Sequence, residues 1–305
     1  MTGQKSCVDL IHYGPEAPSC RPVSLGESNT YCRQLARSHY ENFTVASYLM
    51  PADLRQHFYN IYAYCRWADD LADELADPNE SLQMLDWWEE QLESRYAGRA
   101  AHPVFVALGP TIESFDIPIE PFRQLLRAFR RDQRQTRYET LDDLLSYCEC
   151  SANPAGRIVL HLARSHNAEN AILSDLICTG LQLANFCQDV GRDYVRGRIY
   201  LPLESCREFG YSEADFDARV YNASFRYLLE SEVDRAEAYL RAGVPLVDRV
   251  PSPLRVDIEL FVRGGLAVLD AIRRAEYNVW RKRPTIGKWK KTQLLIGAWW
   301  RALVR

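Results

Sequence analysis

The chain has 305 residues, 47% of them hydrophobic, enough for a sizeable core in a soluble globular protein. Its net charge is −4 with the basic residues dispersed, which excludes the concentrated basic stripe expected of a nucleic-acid binder. The nine cysteines are odd in number and include no C-x-x-C pair, and no export signal opens the sequence, so reduced thiols in a cytoplasmic setting are expected rather than disulfides or zinc.

Helical periodicity runs through nearly the whole sequence, and an all-α fold is expected. Residues 1–24, with Pro15, Pro18 and Pro22, read as a loosely structured leader to a single domain over 25–305. Pro51 is placed as a first-turn residue of a helix through Tyr62 and Arg66 that stops near Asp77-Pro78; the next helix covers Leu82 to Tyr96. Thr140 with Asp143 reads as a capping box opening a helix through Tyr147, and Pro154 starts another. A long helix is expected from about Ala168 to Tyr194. Ser212 with Asp215 is read as the start of a long segment to Leu240, and Pro253 precedes a helix through Val262 and Tyr277.

No apolar run reaches the roughly 18 to 20 residues that span a bilayer. The last stretch, KWKKTQLLIGAWWRALVR from Lys288, interleaves tryptophans and aliphatics with cations. It fits an interfacial amphipathic helix with weak, salt-sensitive membrane-surface association, and equally a last helix packed on the core.

Chemistry concentrates in two acidic clusters, Asp69-Asp70-Leu71-Ala72-Asp73-Glu74 and Asp189-Val190-Gly191-Arg192-Asp193. Each places two aspartates at i and i+4, on one face of a helix. At about 4 Å and an effective dielectric of about 20, two like charges repel by roughly 4 kcal/mol, so a cleft sustains such a pair only with a cation, and hard oxygen ligands suit Mg²⁺. Projected by turns, Tyr62, Arg66, Asp69 and Asp73 form one stripe; Gln182, Asn185, Asp189 and Asp193 form a second, on a helix otherwise built from Leu181, Leu183, Ala184 and Phe186. Amides buried among such residues without partners would cost a few kcal/mol, so a polar ligand or a metal-water cluster is expected beside them. Mg²⁺ on the acids, with Arg66, Arg192, Arg196 and Arg198 as direct contacts, would suit a diphosphate leaving group. Phe43, Tyr62, Phe129 and Tyr147 are candidates to shield the carbocation left behind, against the plainer alternative that each is core.

With His39-Tyr40-Glu41-Asn42-Phe43, the segment from Tyr62 to Asp73, that from Gln182 to Asp193, and Arg196-Gly197-Arg198-Ile199-Tyr200-Leu201-Pro202, the sequence resembles the squalene/phytoene synthase family over nearly its whole length. The resemblance implies a single all-helical isoprenoid-synthase bundle with a central cavity, whose members join two prenyl diphosphates through a cyclopropyl diphosphate. It implies Mg²⁺ on Asp69, Asp73, Asp189 and Asp193; diphosphate contacts from Arg66 and Asn42; and Tyr62, Tyr147, Gln182 and Asn185 around the reacting centre. Substrate contacts are also assigned to Phe43, Phe129, Arg192, Arg198 and Tyr277, and Asn153 shares with Tyr147 the candidacy for guiding water. His39 either braces the phosphate segment or touches substrate.

Several departures resemble one branch in particular. They are Ser151-Ala152-Asn153-Pro154, Glu41-Asn42-Phe43, Gln188, Phe129 to Arg134, and Arg137-Tyr138-Glu139-Thr140. These are similar to the bacterial hydroxysqualene synthases of hopanoid pathways, which implies water capture of the cation from presqualene diphosphate and no need of NADPH. The alternatives are a squalene, dehydrosqualene or phytoene synthase, and a non-catalytic assembly factor, which should have lost its acids. Partners implied are the prenyl diphosphate, enzymes of the same pathway and the inner membrane face.

Overall fold

The computed structural model describes residues 9–17, 23–38 and 51–287. His39, Asn42, Phe43 and the segment 288–305 lie outside the described residues, as does most of the proline-bearing leader. No strand occurs among the described residues, and no helix among them is long and apolar enough to cross a membrane. The chain divides into two compact units, Met1–Arg134 and Gln135–Arg305.

In the first unit, α1 (Leu10–Tyr13) and α2 (Leu25–Ser38) precede α3 (Arg55–Asp73), α4 (Pro78–Tyr96), α5 (Pro103–Phe115) and α6 (Glu120–Asp132). Helix α3 starts four residues after Pro51, which instead opens a turn closed by the Leu54 N–H on its carbonyl at 3.1 Å. It also ends earlier than the periodicity suggests. Asp77 caps α4 by accepting from the Asn79 N–H at 2.9 Å, and Pro78 supplies a preset first turn, so α4 begins four residues before Leu82.

The core of this unit is aromatic. Trp67 of α3 and Trp88 of α4 stack at 5.1 Å with an interplanar angle of 9°, and His102 meets Trp67 edge-on at 4.5 Å. His102 also caps α5, its Nδ1 accepting from the Val104 N–H at 3.2 Å. Burial lowers its pKa to about 3, so the imidazole stays neutral and keeps that lone pair.

The second unit contains α7 (Leu141–Ser151), α8 (Asn153–Leu162), α9 (Ala168–Val195), α10 (Leu203–Glu208), α11 (Glu213–Asp217), α12 (Ala223–Gly243), α13 (Leu246–Arg249) and α14 (Ser252–Arg274). Thr140 and Asp143 make the expected capping box, with both reciprocal bonds present. Ser212 and Asp215 make another, but it opens only the five-residue α11. The anticipated long segment to Leu240 is two helices, because Arg219 turns left-handed at φ 50° and Asn222 caps α12 afresh on the Phe225 N–H. Likewise α14 stops before Tyr277, since Glu276 and Tyr277 are left-handed at φ 51° and 63°. No disulfide joins the described cysteines.

Helix α9 is the axis of this unit, packing on α12, α8, α14 and α7. It runs antiparallel to α12 at close range: a Cβ at Gly243 would lie 2.4 Å from Ile177 Cγ1 and 2.9 Å from the Leu173 carbonyl oxygen. Side-chain rotation can relieve the first clash, but the second is with backbone. Gly243→Ala is therefore expected to lower unfolding free energy by about 1–3 kcal/mol, read from urea denaturation; unchanged stability would contradict so tight a contact.

Candidate active-site residues

Helix α3 delivers the first acidic pair at its C-terminal end. Asp69 is half-buried and Asp73 exposed. Arg66, one turn earlier, holds its Nη1 3.3 Å from Asp69 Oδ2, ion-pairs with Asp70 and has Nη2 3.7 Å from Glu74 Oε1. Asp70 is the buried member, 1% exposed. Burial pushes its carboxyl up to about 7, and Arg66 opposes that rise. The guanidinium expected on a diphosphate is thus held by two acids of its own helix and by Glu74, which follows it. Tyr62 is half-buried, and burial raises its phenol above the usual range.

Helix α9 delivers the second pair in the same way, near its C-terminus. Asp189 is 9% exposed, and burial together with the Asp189 charge raises Asp193 to about 7, against the pull of Arg196, Arg198 and Arg283. The chain then turns back through Gly197, at φ 77°, and the Arg198 N–H reaches the Asp193 carbonyl at 2.9 Å. A left-handed residue is required there, and glycine adopts that conformation at no steric cost. Arg192 is exposed, its Nε 3.8 Å from Asp189.

The amides of the second stripe are less buried than the apolar sequence around them implies. Asn185 is exposed and Gln182 half-buried. Asn185 Nδ2 donates to Asp189 Oδ2 at 2.9 Å, so its partner is the carboxylate itself. The expectation of buried amides in search of a ligand is corrected to that extent: exposed Asn185 and buried Asp189, four apart on α9, satisfy one another.

Three further residues have definite surroundings. Tyr147 is buried in a ring cluster with Tyr138, Tyr200 and Phe186, where Phe186 and Tyr200 stack at 4.1 Å. Asn153 is buried at the start of α8, its Oδ1 accepting from Thr179 Oγ1 at 3.0 Å, which ties α8 to α9. Tyr277, beyond α14, donates to Glu230 at 3.3 Å. Phe129 on α6 is half-buried.

Sequence reasoning passed over Arg283. Its Nε and Nη2 donate to the two Asp189 oxygens at 2.5 and 2.8 Å, and Nη2 also reaches Gln188 Oε1 at 2.7 Å. Gln188 in turn donates to the Pro284 carbonyl at 2.5 Å. The available signal was the basic triplet Arg281-Lys282-Arg283 before a proline, some ninety residues from its partner.

The donor set fits Mg²⁺. Each pair offers two hard carboxylate groups, and no three His, Cys, Asp or Glu side chains gather into a metal-holding group among the described residues. Mg²⁺ takes one or two carboxylates and completes its octahedron with water and substrate phosphate, so a pair suffices. The raised Asp193 marks a second pair with more negative charge than its surroundings support, which a divalent cation would relieve.

Comparison with known proteins shows what the whole chain is similar to. A squalene/phytoene synthase family model matches residues 36–290. The chain is 33% identical over 296 residues to the phytoene synthase of Arthrospira platensis, covering 93% of this chain and 96% of that one. It is also 33% identical over 308 residues to the 15-cis-phytoene synthase of Synechocystis sp., covering 97% and 91%. Among solved structures, squalene synthase HpnC from Alicyclobacillus acidocaldarius superposes with TM-score 0.81 at 45% identity, covering 85% of this chain and 97% of that one. A ligand-bound dehydrosqualene synthase gives TM-score 0.84 at 25% identity, covering 92% and 98%.

Proposed function

The chain belongs to the squalene/phytoene synthase family of isoprenoid synthases, whose members process prenyl diphosphates, and from that premise we propose that it converts presqualene diphosphate and water to hydroxysqualene and diphosphate. The observation that supports the reading is the set of branch-like departures, Ser151-Ala152-Asn153-Pro154 and Gln188 among them, in a chain that keeps all four aspartates and is 45% identical to a squalene synthase against 33% to phytoene synthases. Gln188, one of the departures, holds both Arg283 and the Pro284 carbonyl, so the substitution has a definite consequence beside Asp189.

In the proposed reaction the carbon–oxygen bond to diphosphate breaks, and its electron pair leaves with the diphosphate. The cation rearranges, water adds through oxygen, and one proton is lost; no reductant enters. Asp69, Asp73, Asp189 and Asp193 are the proposed Mg²⁺ ligands. Bound at either pair, an ion would offset the charge growing on the departing diphosphate. Arg198, whose charge acts on Asp193, would add a cationic contact; Arg192, exposed near Asp189, would add a second. Arg66 would keep Asp69 oriented while neutralising Asp70. Tyr147, in its ring cluster, presents aromatic faces of the kind that stabilise a carbocation.

The names of the relatives favour one second reading, a squalene, dehydrosqualene or phytoene synthase that condenses two prenyl diphosphates. Product analysis separates the two. Purified protein with Mg²⁺ and presqualene diphosphate, without NADPH, is expected to give hydroxysqualene in the lipid extract. A hydrocarbon as the sole product, or turnover only with NADPH, would overturn the proposal.

A further inference from the structure

Past α14 the chain is pinned in three places. The Tyr221 hydroxyl donates to the Glu276 carbonyl at 2.6 Å, and Trp280 packs against Phe225 with ring centroids 5.6 Å apart. Gln188 grips the Pro284 carbonyl. These contacts fix a cleft of about 750 Å³ in the second unit, whose wall carries Arg274, Arg281, Lys282 and Arg283 against a single acid, Glu276.

Three of its four cations hold no acid among the described residues. Elsewhere in this unit Arg137, Arg157, Arg207, Arg235 and Arg273 each hold an acid within 3 Å. Arg274, Arg281 and Lys282 have no acid partner among the described residues, so three like charges face a volume whose lining offers one acid, Glu276. Arg283 is the exception: it stands in the cleft wall and spends its planar fork on both oxygens of Asp189. That fork geometry matches carboxylate and phosphate equally well.

We propose that this cleft binds a phosphate or diphosphate group, and that Arg283 exchanges between that anion and Asp189, so that anion binding frees Asp189 for a divalent cation. The inference rests on the reading of Asp189 as a metal ligand. While Arg283 occupies both Asp189 oxygens, a cation must displace it; an anion held by Arg274, Arg281 and Lys282 gives the displaced guanidinium an alternative partner. Linkage makes the effect reciprocal: whatever draws Arg283 away strengthens cation binding, and a bound cation strengthens anion binding by the same factor. Mg²⁺ uptake is thereby coupled to the presence of phosphate, and the carboxylate is kept from unproductive partners.

The test uses Mn²⁺ as the metal probe, with free ion counted by electron paramagnetic resonance, and full-length protein throughout. In the absence of any anion, Arg283→Gln is expected to bind Mn²⁺ about tenfold more tightly than wild type, with Arg283→Lys in between because it keeps the charge and loses the fork. Metal-free titration calorimetry with inorganic diphosphate, in chelator, should show saturable binding that weakens about tenfold or more in the Arg274→Gln, Arg281→Gln, Lys282→Gln triple variant. Co-sedimentation with phosphatidylcholine vesicles, with and without phosphatidic acid, distinguishes a lipid headgroup from the free anion as the source. Equal diphosphate and vesicle binding by the triple variant and wild type would overturn the site. Asp193→Asn, which leaves the Arg283 contact in place, separates the two readings. Mn²⁺ binding lost in Asp193→Asn yet unchanged in Arg283→Gln sinks the exchange alone, whereas no Mn²⁺ binding by any form sinks the metal reading and this inference together.

Discussion

Asp69→Asn lowers turnover of the purified enzyme by about a thousandfold or more, as does Asp193→Asn, while both variants unfold at or above the wild-type temperature. The size follows from the several kcal/mol that a bound divalent cation contributes to a departing oxyanion, at about 1.4 kcal/mol per tenfold. Stability is retained for a different reason in each case. Asp69 is half-buried, and its neighbour Arg66 keeps Asp70 and Glu74 as partners when that charge is removed. Asp193 is held near neutrality by burial and by Asp189, so an amide replaces a charge that the fold disfavours. The measurements are initial rates over a Mg²⁺ titration and thermal unfolding of the same samples. Turnover within tenfold of wild type in either variant would remove that pair from the metal site.

Asp257→Asn flattens the pH dependence of folding stability. Asp257, on α14, is 3% exposed, and neither carboxylate oxygen has a hydrogen-bond partner among the described residues. Burial alone raises its pKa from 3.8 to about 7. The folded protein therefore binds this proton more tightly than the unfolded chain does. Stability from that difference is fully present below pH 4 and is lost as pH rises through 7, where the buried group must ionise. A shift of about three units corresponds to roughly 4 kcal/mol over the whole titration, of which about 2.6 kcal/mol falls between pH 5 and 8, and water penetration reduces that to an expected loss of about 1–2.5 kcal/mol. The asparagine variant lacks that loss, although its amide inherits the unsatisfied site at every pH. Urea unfolding at pH 5 and pH 8 checks the result; parallel pH slopes in the two proteins would show that Asp257 does not carry the effect.

The fold class and the acidic motifs were legible because they are written in local patterns: i, i+4 spacing, capping boxes at Thr140 and Ser212, and a long apolar helix ending in Asp189 and Asp193. What the sequence misplaced depends on single backbone conformations or on distant partners. The segment after Ser212 keeps helical periodicity through Ala218, and only the left-handed turn at Arg219 and the new cap at Asn222 break it. Asn185 was read as buried because its neighbours are apolar, yet its own face of α9 is open. Arg283 was invisible for a third reason. An arginine in a basic triplet near the chain end has many possible partners, and its hold on Asp189 exists only after α14 has turned back and Trp280 has found its nest.

Helix α9 separates its duties by angle. At 3.6 residues per turn, Leu173, Ile177 and Gly180, which meet α12, lie about 160° around the axis from the mean direction of Gln182, Asn185, Asp189 and Asp193. One stripe answers to packing and the other to chemistry, and they share no residue. Selection on product outcome can therefore work on the second stripe without taxing the first. A family built on such a helix is free to diversify its reactions while its architecture stays still.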